Sequence, residues 1–189
     1  MSIRVEDISY IYGKGSPFEK TALSHINLTI NKGEFIGVIG HTGSGKSTLI
    51  QHLNGLIHPT SGKVTIDGID LAAKTKDAVS KRHSAGMVFQ YPEHQLFEET
   101  VAQDIAFGPK NLGCDEEEVD KRVKSAMRFA GIDYEKFAGR SPFRLSAGQQ
   151  RRVAIAGVIA MHPDFLILDE PSAGLDPIGR REIFSRIWD

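Results

Sequence analysis

Gly40-His-Thr-Gly-Ser-Gly-Lys-Ser47 is the stretch that decides the fold, because it matches the phosphate-binding pattern G-x-x-x-x-G-K-[ST]. Small residues let successive backbone N–H groups wrap a phosphate, and the following helix directs its positive end at the same anion. The loop is expected between a buried strand over residues 34–39 and a helix over residues 46–56. Lys46 can reach the β- and γ-phosphates of a nucleoside triphosphate, and the Ser47 hydroxyl can ligate Mg²⁺. The predicted phosphate site comprises Gly40, His41, Thr42, Gly43, Ser44, Gly45, Lys46, Ser47 and Thr48.

A second apolar run, residues 165–168, is followed at once by two carboxylates, Asp169 and Glu170. In a parallel sheet, strand ends of this kind face the ligand crevice. There Asp169 would hold Mg²⁺ through its waters, and Glu170 would orient and deprotonate an attacking water. The alternative is an exposed acidic strand end without a function, and the phosphate-binding loop in the same chain favours the catalytic interpretation. The expected ligand is a nucleoside triphosphate with Mg²⁺.

The composition is that of a soluble globular chain. Its 189 residues correspond to one domain, or one core with an inserted subdomain. With 23 Lys+Arg against 24 Asp+Glu, the net charge of −1 argues against a protein that coats nucleic acid. A single cysteine, Cys114, cannot form an internal disulfide, and no apolar run approaches the ~20 residues of a membrane span. We therefore expect an intracellular protein.

Strand and helix signals alternate along the chain, which predicts an α/β fold. Residues 3–12, 22–30, 63–66 and 86–90 are typical of strands. Helix signals dominate residues 92–161, where Glu117/Lys121 and Glu118/Arg122 are favourable pairs four residues apart. These residues are expected to form a mostly helical insert.

The segment Arg144-Leu-Ser-Ala-Gly-Gln-Gln-Arg-Arg-Val153 is a small polar turn that leads into a helix. Ser146 could offer its hydroxyl to a phosphate, or it could simply cap the helix. Together with the two segments above, it resembles the nucleotide-binding subunit of ABC transporters over nearly the whole chain. The resemblance includes the family signature, with Ala147 in place of its first glycine. It implies that Ser146 and Gly148 meet the γ-phosphate of an ATP bound by a second ATPase subunit, so that a homo- or heterodimer encloses two ATP molecules.

The same resemblance assigns further roles. Gln90 matches the Q-loop glutamine, which senses Mg²⁺ and the attacking water and so belongs to both the metal site and the catalytic set of Glu170, Gln90 and Lys46. Tyr12 stands where the family places an aromatic ring that stacks on adenine, with Phe18 as a weaker candidate. Residues 172–176 match the D-loop that crosses the dimer interface.

The resemblance implies a P-loop NTPase core with N-terminal antiparallel strands and a helical subdomain. As one ABC ATPase domain, residues 1–90 and 162–189 would form the nucleotide-binding core and residues 91–161 the helical subdomain. The family's switch histidine and its strand have no counterpart in this sequence, so a domain incomplete at the C-terminus is expected.

A narrower resemblance follows Gln90. Residues 91–101 and 104–112 are similar to the ATPases of energy-coupling factor transporters, bacterial and archaeal importers of vitamins or transition-metal ions. By that resemblance, residues 91–100 would dock the coupling helices of a transmembrane subunit, beside a substrate-binding membrane subunit. The protein would then be peripheral, on the cytoplasmic face of the membrane. An ordinary polar loop is the alternative, and Tyr91, Leu96 and Phe97 in a surface loop favour docking.

Two other functions stay open at this point. One is a soluble ABC ATPase of DNA repair or translation, but the chain lacks the long inserts expected of that class. The other is a module that binds nucleotide without turnover. We expect no nucleic-acid partner, and the basic run of residues 74–83 is more typical of a solvated surface.

Overall fold

A computed structural model describes residues 1–171, 181, 184 and 185. The chain divides into two compact units, residues 1–85 and 86–189. The described strands are β1 (Ser2–Tyr12), β2 (Lys20–Asn31), β3 (Ser61–Ile66), β4 (Ile69–Asp70), β5 (Ala85–Val88) and β6 (Phe165–Leu168). The described α-helices are α1 (Lys46–Leu53), α2 (Lys76–His83), α3 (Val101–Asn111), α4 (Glu116–Phe129), α5 (Tyr134–Phe137) and α6 (Ala147–Ile159).

The first unit is built on a four-stranded sheet with the order β2-β1-β3-β4. All its pairings are antiparallel, and β1 aligns Ile3 with Ile66 and Val5 with Val64 of β3. These four side chains are at most 3% exposed, because alternate residues of a strand face the same side of the sheet. The predicted antiparallel N-terminal strands are thus confirmed.

Residues 34–39 were expected to form a buried strand, and this prediction is wrong. They have no regular secondary structure and belong to neither of the sheets among the described residues. Phe35 is 66% exposed and Ile39 is 94% exposed. A buried strand needs hydrogen bonds from neighbouring strands and cover on both faces, and an apolar run reveals neither of these.

Helix α1 is shorter than predicted, since it ends at Leu53 and not at residue 56. Gly55 has a φ of +72° and donates its N–H to the His52 carbonyl. Such a left-handed glycine after the last turn is a common helix stop. The chain leaves the helix here, and Leu56 is 55% exposed.

The second unit contains the two-stranded sheet β5-β6 and a helical core. Strand β6 matches the predicted residues 165–168, whereas β5 ends at Val88, so Gln90 follows the strand and does not end it. Helices α3, α4 and α6 bury side chains against one another, including Ile105, Val123 and Val153. Both predicted charge pairs of α4 are present, with N–O distances of 2.7 and 2.6 Å.

In the described part of the chain, none of the helices has the length and apolarity that a membrane span requires. The predicted D-loop, residues 172–176, lies outside the described residues. The division into a core of residues 1–90 and 162–189 and a helical subdomain of residues 91–161 stays a prediction.

Candidate functional site

Residues 40–45 form an exposed loop that leads directly into α1. Gly43 and Gly45 have φ angles of +80° and +90°, where a side chain is strained. A Cβ at Gly45 would also lie 2.6 Å from the Ala22 carbonyl oxygen, and one at Gly40 would lie 2.6 Å from the Ser44 hydroxyl. Gly45 is therefore required for this loop shape, and the φ of Gly43 also favours glycine, whereas rotation of the Ser44 hydroxyl could relieve the contact at Gly40.

The Lys46 ammonium lies across this loop. Its Nζ donates hydrogen bonds to the Gly40 carbonyl at 2.9 Å and to the His41 carbonyl at 3.1 Å. The His41 ring is held by the Thr42 carbonyl, with a distance of 2.9 Å from Nδ1. A cation and a helix N-terminus at the end of an exposed loop fit the phosphates of a nucleotide.

Tyr12, predicted to contact adenine, lies in the same unit. Its ring is 44% exposed, and its hydroxyl lies 3.1 Å from the hydroxyl of Thr48 in the first turn of α1. The neighbouring Ser47, the predicted Mg²⁺ ligand, is exposed in that turn. Phe18 lies in the loop between β1 and β2 and is 88% exposed. Of these two candidates for contact with adenine, Tyr12 is thus the one that directly contacts α1.

In the second unit, the structure brings together Gln90 and Glu170, which are 80 residues apart in the sequence. The Gln90 Nε2 donates to the Glu170 Oε2 at 3.1 Å. Next to them, the Asp169 N–H donates to the Val88 carbonyl at 2.9 Å, which holds the acidic end of β6 beside β5. Glu170 has a φ of +47°, a strained value for a residue with a side chain and one that is found at functional sites. This arrangement can orient a carboxylate toward a water molecule.

An ion pair that the sequence analysis missed fixes the segment after Gln90. Arg151 of α6 donates to both carboxylate oxygens of Glu93, at 3.0 and 3.1 Å, and is 2% exposed. Its guanidinium also lies 5.8 Å from the centre of the Tyr91 ring. Glu93 belongs to a 3₁₀ turn, Pro92–Gln95. The two partners are 58 residues apart, and no periodicity or motif spacing relates them.

Ser146 caps α6. Its hydroxyl accepts the Gln149 N–H at 3.3 Å, and the Gln149 side chain accepts the Ser146 N–H at 3.0 Å. This reciprocal capping box corresponds to the simpler of the two interpretations from the sequence. Ser146 is also exposed, and a Cβ at Gly148 would meet nothing within 4 Å. The turn therefore leaves room for a ligand to approach.

The predicted docking segment, residues 91–100, exposes two of the three expected side chains, Tyr91 at 43% and Phe97. Leu96 is 8% exposed and belongs to the helical core, so its assignment to the surface is wrong. A leucine in a short loop gives no sequence signal of its burial. Phe97, 57% exposed, instead packs edge-on against Phe107 of α3, 46% exposed, with ring centres 4.9 Å apart. The Asp104 carboxylate accepts the Phe97 N–H at 3.0 Å and so fixes this loop.

Comparison with protein families and with curated proteins places the sequence among relatives. A family model described as ABC transporter matches residues 23–173. The chain is 60% identical to the energy-coupling factor transporter ATP-binding protein EcfA2 of Clostridium tetani (strain Massachusetts / E88) over 189 residues. That similarity covers 100% of this chain and 66% of the relative. The chain thus spans just under two thirds of the relative's length.

Solved structures are similar over nearly the whole chain. The structure of cbiO1 from Clostridium perfringens, described as part of the ABC transporter complex cbiONQ, has a TM-score of 0.82 and 42% identity, covering 98% of this chain and 71% of that chain. The ATP-binding cassette MJ0796, in a dimeric post-hydrolysis state with ADP and Pi, has a TM-score of 0.83 and 32% identity, covering 98% and 81%. These similarities confirm the predicted α/β P-loop fold.

Proposed function

This chain belongs to the ABC transporter family, and we propose that the intact protein binds and hydrolyses ATP to power a membrane importer of the energy-coupling factor type. The observation that carries the proposal is the glycine-dependent loop of residues 40–45, with the Lys46 ammonium across it and α1 behind it. The type of importer is supported by the 60% identity to EcfA2. The cargo would be a vitamin or a transition-metal ion, selected by a separate membrane subunit.

The first unit would bind the nucleotide. The N–H groups of residues 40–45 and the Lys46 ammonium would donate to the β- and γ-phosphates, exchanging the present Lys46 bonds to carbonyls for bonds to charged oxygens. The Tyr12 ring would stack on adenine. Such stacking is supported by the 44% exposure of Tyr12 and by the contact of its hydroxyl with that of Thr48.

The second unit would supply the catalytic groups. Glu170 would accept a proton from a water molecule while the water oxygen attacks the γ-phosphorus. The bond between the γ-phosphorus and the leaving ADP oxygen would break in the same step. The Gln90 amide would hold the Glu170 carboxylate in the required orientation, as its 3.1 Å hydrogen bond suggests. Ser47, Gln90 and Asp169 would be the Mg²⁺ ligands. Bound Mg²⁺ neutralises charge on the phosphate oxygens.

Two kinds of partner follow from the proposal. A second ATPase subunit would present its nucleotide to Ser146 and Gly148, whose turn is exposed. A transmembrane coupling subunit would contact residues 91–100 together with Phe107, because exposed aromatic side chains are typical of protein contact sites. The complex would include the substrate-binding membrane subunit, and this protein would lie on the cytoplasmic face of a bacterial or archaeal membrane.

Equilibrium binding of Mg-ATP to the intact protein tests the nucleotide site. Lys46→Ala removes the ammonium that lies across the loop, so we expect the Kd to rise at least about tenfold, the value of one charge-assisted hydrogen bond. Lys14→Ala, on an exposed loop of the same unit, is the matched control and should bind as the wild type does. Equal affinities for the Lys46→Ala variant and the wild type would contradict the proposed site.

A further inference from the structure

A cluster of four residues in contact with one another joins β1 to α1 in the first unit. Tyr10 and Tyr12 lie two residues apart on β1, and Thr48 and His52 lie one turn apart on α1. Thr48 and His52 are 8% and 1% exposed, whereas Tyr12 is 44% exposed. The four-residue cluster therefore extends from the buried side of the helix to the partly exposed Tyr12.

Each residue of the cluster contacts two of the others. The Tyr12 and Thr48 hydroxyls are 3.1 Å apart, and the His52 Nδ1 lies 2.7 Å from the Thr48 carbonyl oxygen. The Tyr10 ring makes T-shaped contacts with both the His52 ring and the Tyr12 ring, with centres 4.9 Å apart in each case. The orientation of the Tyr12 ring is thus fixed by its hydroxyl contact and by its contact with the Tyr10 ring.

The contacts of His52 also define its protonation. A carbonyl oxygen only accepts, so Nδ1 carries the hydrogen and donates it to Thr48. Nε2 is buried and makes no hydrogen bond with the described residues. Burial lowers the pKa of His52 below its usual value, which favours the same neutral form. In the four-residue cluster, His52 is therefore a neutral aromatic group with one hydrogen-bond donor.

We propose that Tyr10 and His52 are positioning residues for nucleobase recognition, because they hold the Tyr12 ring ready to stack on adenine. This inference rests on the proposed ATP-binding function. An unsupported tyrosine on the surface would lose rotamer freedom on stacking, and that loss would oppose binding. In this protein the Tyr12 ring is already ordered when the chain folds, so that loss does not oppose nucleotide binding. Because Thr48 follows Lys46 and Ser47 on α1, the stacking ring is also held at a fixed place relative to the phosphate loop.

The test compares the Kd of Mg-ATP with that of inorganic triphosphate, which has no base, for the intact protein. In H52N the side-chain amide can still donate to the Thr48 carbonyl, but it has no ring to pack against Tyr10. We expect the Kd for ATP and the KM to rise about fivefold, with kcat and the Kd for triphosphate unchanged. In H52F an aromatic ring remains against Tyr10, and this matched variant should bind ATP within about twofold of the wild type.

A Tyr12→Ala background separates positioning from a general structural role. Without the Tyr12 ring there is nothing to position, so H52N should cause no further loss of ATP affinity there. An additive loss in this background, or an equal loss for ATP and triphosphate, would overturn the inference. If H52N does not fold, Tyr10→Leu removes the same contact from the strand side, and the same pattern of results is expected.

The outcome for the wild type distinguishes the two levels of the account. A wild-type protein that does not bind ATP would overturn the proposed function and this inference with it. A wild type that binds ATP, with unchanged affinity in H52N and Tyr10→Leu, would overturn only the positioning role.

Discussion

At the scale of single residues, the surroundings of two positions in the first unit restrict which side chain or which protonation state can be present there. Gly45 combines a φ of +90° with a carbonyl oxygen 2.6 Å from where a Cβ would be, so any side chain would deform the phosphate loop. His52 is confined in a different way, because its buried ring has a single donor bond and a pKa lowered by burial. A Cβ atom at position 45, or a second proton on the His52 ring, would therefore disturb the first unit.

The lowered pKa of His52 predicts a dependence of stability on pH. An unfolded histidine has a pKa near 6.5, and the folded pKa lies below it, so the unfolded state binds more protons between the two values. The free energy of unfolding should therefore fall as the pH decreases from 7.5 to 5.5, by at most about 1.4 kcal/mol per pH unit from this group.

Urea unfolding of the intact protein at several pH values measures this effect. In H52F the group that takes up the proton is absent, so the variant should lose less stability than the wild type over the same range. The two proteins are otherwise identical in sequence, so the difference between their stabilities reports on position 52. Parallel curves for the two proteins would show that His52 does not contribute.

At the scale of elements, the segment after Gln90 is fixed to the helical core of its unit. The buried Arg151–Glu93 pair ties the turn Pro92–Gln95 to α6, the helix that Ser146 caps. The Asp104 carboxylate on α3 accepts the N–H groups of Phe97 and Glu98. The predicted docking segment is therefore joined directly to α6. Breaking a buried ion pair of this kind typically costs about 3–5 kcal/mol.

The aromatic pair on this segment predicts where a membrane partner binds. The double substitution Phe97→Ser with Phe107→Ser removes the exposed rings, so we expect capture of the intact protein by its membrane subunits to weaken at least about tenfold. ATP binding should be unchanged, because neither residue belongs to the nucleotide site. Phe18→Ser, which removes an even more exposed ring from the first unit, should leave capture unchanged. Undiminished capture of the double variant would exclude this surface.

At the scale of the whole molecule, the sequence predicts features that depend on short segments. The loop before α1, strand β6 and the charge pairs of α4 follow from neighbouring residues, and the structure contains all three. Features that depend on distant partners were missed or wrong. Residues 34–39 have the composition of a buried strand but pair with neither described sheet, and Arg151 finds Glu93 across 58 residues. Local structural preferences can be predicted from the sequence, whereas the residues that lie next to each other in space cannot.

Each unit holds part of the predicted site. The first contains the phosphate loop and the Tyr12 ring, and the second contains the hydrogen-bonded Gln90 and Glu170. A module that binds nucleotide without turnover would need only the first of these groups. Turnover that depends on Glu170 is therefore the property that separates an ATPase from a binding module.

The most direct measurement is phosphate release from ATP by the intact protein assembled with its membrane subunits. We expect steady turnover by the wild type and a loss of at least about 100-fold in Glu170→Gln, because the group that accepts the proton is removed. The same variant should still bind ATP. Glu135→Gln, an exposed glutamate of α5, is the matched control and should turn over at the wild-type rate. Undiminished phosphate release by Glu170→Gln, or none by the wild type, would contradict the account.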